Sequence, residues 1–252
     1  MTALPPKYVA RDPLASIPTE LPYEDGENME SSWHRDQMTL LIESLRVRWR
    51  GRTDYYCGGN MFIHFSAEQV RNRDFRGPDF FVVLDVDGSY ERDYWAVWEE
   101  KGRYPDVIVE LLSPTTADAD WKVKKQIYEQ TFMTKDYLLY DRETEELTAF
   151  RLSEKFRYRK LIAENGRLWC ELLGCWFGPW EGPYLGSANR WIRMFEPDGS
   201  LVPIYSELAE VEKRRVEAAD QRAEAERQRA EAAETEVARL KAELARLNNS
   251  TP

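Results

Sequence analysis

The 252-residue sequence holds only three cysteines, Cys57, Cys170 and Cys175. An odd count without paired spacing excludes a disulfide framework, and the step from Cys170 to Cys175 is too wide for half of a zinc knuckle. The three read as small buried apolar side chains in a reducing compartment. No apolar run approaches the length that spans a bilayer. The opening stretch MTALPPKYVARDPLASIP lacks the apolar centre of a secretory signal. A soluble, cytoplasmic protein with no membrane partner is therefore expected. Excess positive charge is also missing. The net charge of −10 disfavours avid, non-specific binding to nucleic acid by phosphate neutralisation. It does not exclude a nuclease, because a metal site needs carboxylates.

Hydrophobic residues make up 42% of the chain and nine tryptophans are among them, enough to bury a real core. Residues 1–29 are rich in proline and acids and read as an irregular leader. Residues 31–50 carry Trp33, Leu41, Ile42 and Leu45 at helical spacing, with Ser31 or Ser32 as a cap and Gly51 as the stop. Short aromatic segments surround the pair Gly58-Gly59. The continuous apolar runs at 78–85 and 105–112 suit strands covered on both faces, with Asp87-Gly88 as a turn between them. A helix is expected over 119–132 with Val123, Ile127 and Phe132 facing inward, then a third strand over 136–141. Residues 147–152 and 156–161 read as a hairpin, and 169–176 as a further short strand region. A domain over 30–200 is the result.

Residues 206–248 contain no glycine or proline, and Ala, Glu and Arg dominate. One heptad frame places Ala209, Val216, Ala223, Ala230, Val237 and Leu244 at a, and Glu212, Ala219, Glu226, Ala233, Leu240 and Leu247 at d. Only the last two heptads form a good seam. The segment reads either as a weak coiled coil that makes the protein a homo-oligomer, or as a solvated helix held by Glu–Arg pairs one turn apart. Residues 206–252 carry nine basic and eleven acidic side chains, 9 − 11 = −2, so the segment is not a basic arm for DNA.

Chemistry is concentrated in three side chains. Asp79 opens one apolar strand. Glu110 lies near the end of another between Val109 and Leu111, where a charge is costly unless paired or metal-bound. Lys124 and Tyr128 are four apart on the next helix and share a face. Spacing alone favours Lys124 only modestly over Lys125, with Lys122 and Lys125 left for solvent or phosphate. Two carboxylates can hold a divalent cation, and a nearby amine can orient water and stabilise charge on a phosphate. Asp106 reads as a turn or capping residue. Asp120 reads as a helix cap that could also orient Lys124. Tyr128 reads as cover for the edge of the core, and His64 as a packed histidine. His34 and Glu43 on the first helix are more often structural than catalytic.

Several motifs then fall in step: Gly77-Pro78-Asp79, the run from Pro105 through Glu110 to Ser113-Pro114-Thr115-Thr116, Asp120 with Lys124 and Tyr128, and Asp136-Tyr137-Leu138-Leu139-Tyr140-Asp141. With Leu21-Pro22-Tyr23-Glu24-Asp25-Gly26 and Trp33-His34 upstream, residues 20–195 resemble the Uma-type restriction endonuclease family, a branch of the PD-(D/E)XK nuclease superfamily. The resemblance implies an α/β (α+β) fold with a mixed central sheet flanked by helices. It implies Asp79 and Glu110 as ligands of Mg2+ (or Mn2+), Lys124 as the catalytic lysine, Asp120 and Tyr128 in support, and DNA as the partner. The plain superfamily pattern puts lysine two residues after the glutamate. Leu112 stands there, and the family supplies the lysine from the following helix. A metal-dependent DNA endonuclease is the expectation. The alternative is a nuclease-fold scaffold of little or no activity that oligomerises through its C-terminal helix.

Overall fold

A computed structural model describes residues 31–71, 77–112 and 120–248. The leader expected over residues 1–29, and the motif residues 21–26 and 113–116, lie outside the described residues. Two compact units divide the chain, Met1–Pro203 and Ile204–Pro252.

Within the first unit, helix α1 (Ser32–Arg48) is capped by Ser31, whose hydroxyl accepts the amide of His34 at 3.3 Å. Trp33, Leu40, Leu41 and Leu45 form its buried stripe. Gly51, with φ at +85°, takes the chain out of the helical region just beyond its end. Five strands follow: β1 (Tyr55–Gly58), β3 (Phe80–Leu84) and β5 (Val107–Leu112) enter the central sheet, while β2 (Ile63–His64) and β4 (Trp95–Ala96) pair as a separate two-stranded sheet, with the short helix α2 (Ala67–Arg71) between β2 and β3. Helix α3 (Asp120–Ile127) and a π-helical turn, Tyr128–Phe132, cross to β6 (Asp136–Asp141). The hairpin β7 (Leu147–Leu152) and β8 (Tyr158–Lys160) completes a six-stranded sheet in the order β1-β3-β5-β6-β7-β8. Within this six-stranded sheet β5 and β6 pair in parallel, as a strand–helix–strand crossover requires, and the other neighbours pair antiparallel, so the sheet is mixed.

β3, β5 and β6 are buried along nearly their whole length, as their unbroken apolar sequences lead one to expect. One face carries Phe81, Val83, Ile108, Tyr137 and Leu139, packed against Tyr128, Phe132, Trp95 and Tyr104. Alternation sends Tyr140 to the opposite face, where its ring meets Trp33 of α1.

A second sheet, β9 (Leu168–Cys170), β10 (Cys175–Tyr184) and β11 (Ser187–Phe195), closes the unit. The β10–β11 hairpin runs much further than the short strand expected over 169–176. Its open edge is occupied by α1. The Gln37 amide accepts from Ile192 N at 2.7 Å and donates to Ile192 O at 2.9 Å, and Trp33 Nε1 donates to Arg190 O. These side-chain bonds satisfy groups that an exposed edge strand would leave open.

Two expectations need correction. Val123 does not face inward; it is 50% exposed. The inward face of α3 is set by Lys124 and Tyr128, and Val123 is turned about 100° away from Lys124. Lys125 is not simply solvated: its ammonium lies 4.4 Å from the centre of the Phe150 ring.

The second unit is helix α4 (Tyr205–Asn248), whose described side chains are nearly all exposed. Ion pairs one turn apart line it, among them Arg214–Glu210, Arg227–Glu224 and Arg239–Glu236. No helix among the described residues is long and apolar enough to cross a membrane.

Candidate active site

The antiparallel register of β3 and β5 pairs Phe80 with Val109 and Phe81 with Ile108. One step further along the same register, Asp79 stands opposite Glu110. Opposed residues of an antiparallel pair point to one face, with Cβ atoms about 5 Å apart. That face is the one bearing Phe81 and Ile108, on which the helix after β5 packs. Both acids are nearly buried, Asp79 at 6% and Glu110 at 4% exposure.

Each carboxylate is held from a different direction. Asp79 Oδ2 accepts the amide of Leu111 at 2.6 Å. Glu110 Oε1 accepts the Tyr128 hydroxyl at 2.7 Å, and Oε2 accepts Lys124 Nζ at 3.1 Å. Lys124 and Tyr128 reach one carboxylate together because they are a single helical turn apart. Burial, then the adjacent Glu110 charge, raises the Tyr128 hydroxyl well above its ordinary value of 10.0. The phenol therefore keeps its proton and remains a donor to Glu110. Its ring is fixed by Phe132 and Tyr137, at 5.3 and 5.2 Å between centroids. The π turn that begins at Tyr128 adds a residue to the helical turn. It lets the hydroxyl reach Glu110 while Phe132 stays in the core.

The peptide unit of Leu111 links the site to α1. Its N–H serves Asp79, and its carbonyl accepts from His34 Nε2 at 2.8 Å. His34 is 9% exposed and packs edge-on to Trp33. Gly59 supports the same corner. A Cβ there would collide with the backbone oxygen of Asp79 and with the Met38 side chain. The glycine lets β1's continuation pass close behind Asp79, where Asn60 N also donates to Pro78 O at 2.9 Å.

Asp79, Glu110, Lys124 and Tyr128 are thus gathered on one face. Tyr128 is fully buried and bonded to Glu110, rather than merely covering the edge of the core. The side chain of Asp120 lies outside what is described. Asp106 is structural: it accepts from Leu84 N and Arg103. His64 is fully buried among Phe62, Tyr94 and Trp98. Glu43 accepts from the Tyr184 hydroxyl. Sequence reading missed the Leu111 peptide and the role of Gly59. The backbone groups carry no residue-type signal, although the Gly58-Gly59 pair marked the place.

The donors suit a hard cation. The two carboxylates offer only oxygen, as magnesium and manganese prefer. Among the described residues no three His, Cys, Asp or Glu side chains gather as a cage. A cation held here would rest on one or two carboxylates and keep much of its water, which fits magnesium rather than structural zinc.

A mixed sheet, a strand–helix–strand crossover and acids at the ends of adjacent strands define a restriction-endonuclease-like α+β fold. The Uma2 family model, described as "Putative restriction endonuclease", matches residues 19–175, and the chain belongs to that family. A crystal structure described as "a putative nuclease belonging to DUF820", from Anabaena variabilis, is similar at 15% identity and a TM-score of 0.39, over 60% of this chain and 81% of that one. No curated protein matches the chain.

Proposed function

We propose that the protein is a magnesium- or manganese-dependent DNA endonuclease, with Asp79 and Glu110 as metal ligands and Lys124 as the catalytic lysine. The observation that carries this reading is the 3.1 Å contact of Lys124 with Glu110, on the sheet face that also bears Asp79. A bound cation would neutralise the scissile phosphate and acidify a water. Lys124, with its side chain about one-quarter exposed, brings a positive charge to the edge of the site, where it can stabilise charge on a phosphate oxygen as it develops. Tyr128 orients Glu110, and the Leu111 peptide, fixed by His34, orients Asp79. A cytoplasmic location accords with three free, buried thiols.

The test is cleavage of duplex and single-stranded DNA by the purified chain with magnesium or manganese. Cleavage is expected, and Lys124→Ala should lower it about 100-fold or more with unchanged circular dichroism. Uncut DNA under every condition would overturn the reading. A second reading, a nuclease-fold binding module without activity, is favoured by the net charge of −10, which weakens attraction to phosphates. DNA binding without cleavage would favour it.

A further inference from the structure

Helix α4 carries apolar side chains that its own unit does not cover. Val216 is 51% exposed, Val237 and Leu240 are 50% exposed, and Leu244 is 62% exposed. Val237, Leu240 and Leu244 follow one another at steps of three and four residues, with Leu247 next in sequence. That is a heptad seam with valine or leucine at a and leucine at d. Upstream the seam weakens to alanine, with Glu212 and Glu226 at d.

We propose that α4 joins a second copy of this chain as a parallel, in-register, two-stranded coiled coil, closed chiefly by residues 237–247. Position of the apolar residues decides the orientation. A parallel partner lays Val237, Leu240 and Leu244 against their own counterparts. An antiparallel partner sets them against the start of the helix, where Ala219 offers little to bury, Glu212 would face Leu244, and only Val216 against Leu240 makes an apolar match. Valine at a with leucine at d also favours two strands over three.

Charge agrees with this pairing. In the parallel register each g residue faces the e residue five positions on in the other helix. Arg215 then meets the partner's Asp220, Arg229 meets Glu234, and Glu236 meets Lys241. Arg222 against Arg227, and Glu212 and Glu226 each against its own copy at d, stand against these three matches. Among the described residues Asp220, Arg229, Glu234 and Lys241 enter no ion pair within α4, whereas Glu210, Glu224 and Arg239 do. Four of the six matched charges therefore stand at the flanks of the seam without an ion pair in their own helix, while Arg215 pairs with Glu212 and Glu236 with Arg239. Such a coil would tether two copies of the first unit to one another.

The experiment uses the full chain. Light scattering over a dilution series should give twice the 29.6 kDa chain mass, falling towards one chain on dilution. Lys241→Glu should weaken association by several-fold, and adding Glu236→Lys to it should restore it. Leu240→Cys, at an exposed position, should form a disulfide dimer with itself on mild oxidation. The native chain should not, because its cysteines are buried. A single-chain or three-chain mass at every concentration would overturn the proposal. So would cross-linking of Leu240→Cys only when mixed with Val216→Cys, which is the signature of an antiparallel pair.

Discussion

Two buried carboxylates on the central sheet show how differently the same chemical group can be used. Asp136, at the start of β6, is 1% exposed and its charge is fully answered: Arg151 donates to both oxygens at 2.7 and 3.3 Å, and the Cys170 thiol donates at 3.4 Å. Arg151 is itself tied to Trp169 O and Glu171. A planar guanidinium gripping a carboxylate in this way is a brace between the two sheets. Glu110, at the other end of the crossover, is 4% exposed but is met by a lysine and a phenol, with a second carboxylate opposite it in register. An ammonium is a point charge on a flexible stem and can be shared with an incoming phosphate. Acid beside acid, with a movable cation, suits the proposed phosphodiester chemistry. Acid inside a guanidinium fork is an arrangement for stability.

That contrast can be broken by substitution. Removing the fork with Arg151→Ala leaves Asp136 buried without its counter-charge and should cost roughly 3 to 5 kcal/mol, read as a lowered denaturant midpoint. Tyr128→Phe takes one donor from Glu110 and should cost about 1 to 3 kcal/mol. It should also lower cleavage, because the carboxylate loses an anchor. Lys124→Ala should cost less than Arg151→Ala, about 1 to 3 kcal/mol for one charged donor lost, because Glu110 keeps the Tyr128 hydroxyl, while abolishing most cleavage. Equal destabilisation by Arg151→Ala and Lys124→Ala in the unfolding assay would erase the distinction.

Alkaline pH sharpens the same comparison. Burial, then the Asp136 charge, raises the Cys170 thiol well above its ordinary 9.0, and burial raises Cys57 to about 11. A group whose folded value is raised contributes its stability in full below the unfolded value and loses it as pH rises through the folded one. Stability should therefore be insensitive to these thiols below pH 9.0 and decline from there through about 11. Thermal unfolding between neutral and alkaline pH checks this, and Cys57→Ala should flatten the decline. An unchanged slope in that variant would show that other groups govern it.

The sequence made the central strands legible because burial on both faces leaves an unbroken apolar run, as in β3, β5 and β6. Lys124 stood out from Lys125 through its one-turn spacing from Tyr128, and that pair does meet Glu110. Val123 misled because the helix phase is fixed by polar bonds to Glu110, which apolar periodicity does not report. The β10–β11 hairpin carries Gly178, Pro179, Gly182 and Pro183, residue types poor in strand interiors, so composition does not announce it. In the structure β9 pairs with β10 only as far as Phe177. Beyond it β10 has an open edge, where a proline's missing N–H disrupts no ladder. The His34–Leu111–Asp79 link runs through backbone groups, so residue types could not announce it.

The most direct measurement is calorimetric titration of manganese into the native chain and into Glu110→Gln, which keeps the shape of the side chain and removes its charge. The native chain is expected to bind the ion and Glu110→Gln to lose most of that affinity. Equal binding by the two, or none by either, would contradict a metal held by Asp79 and Glu110.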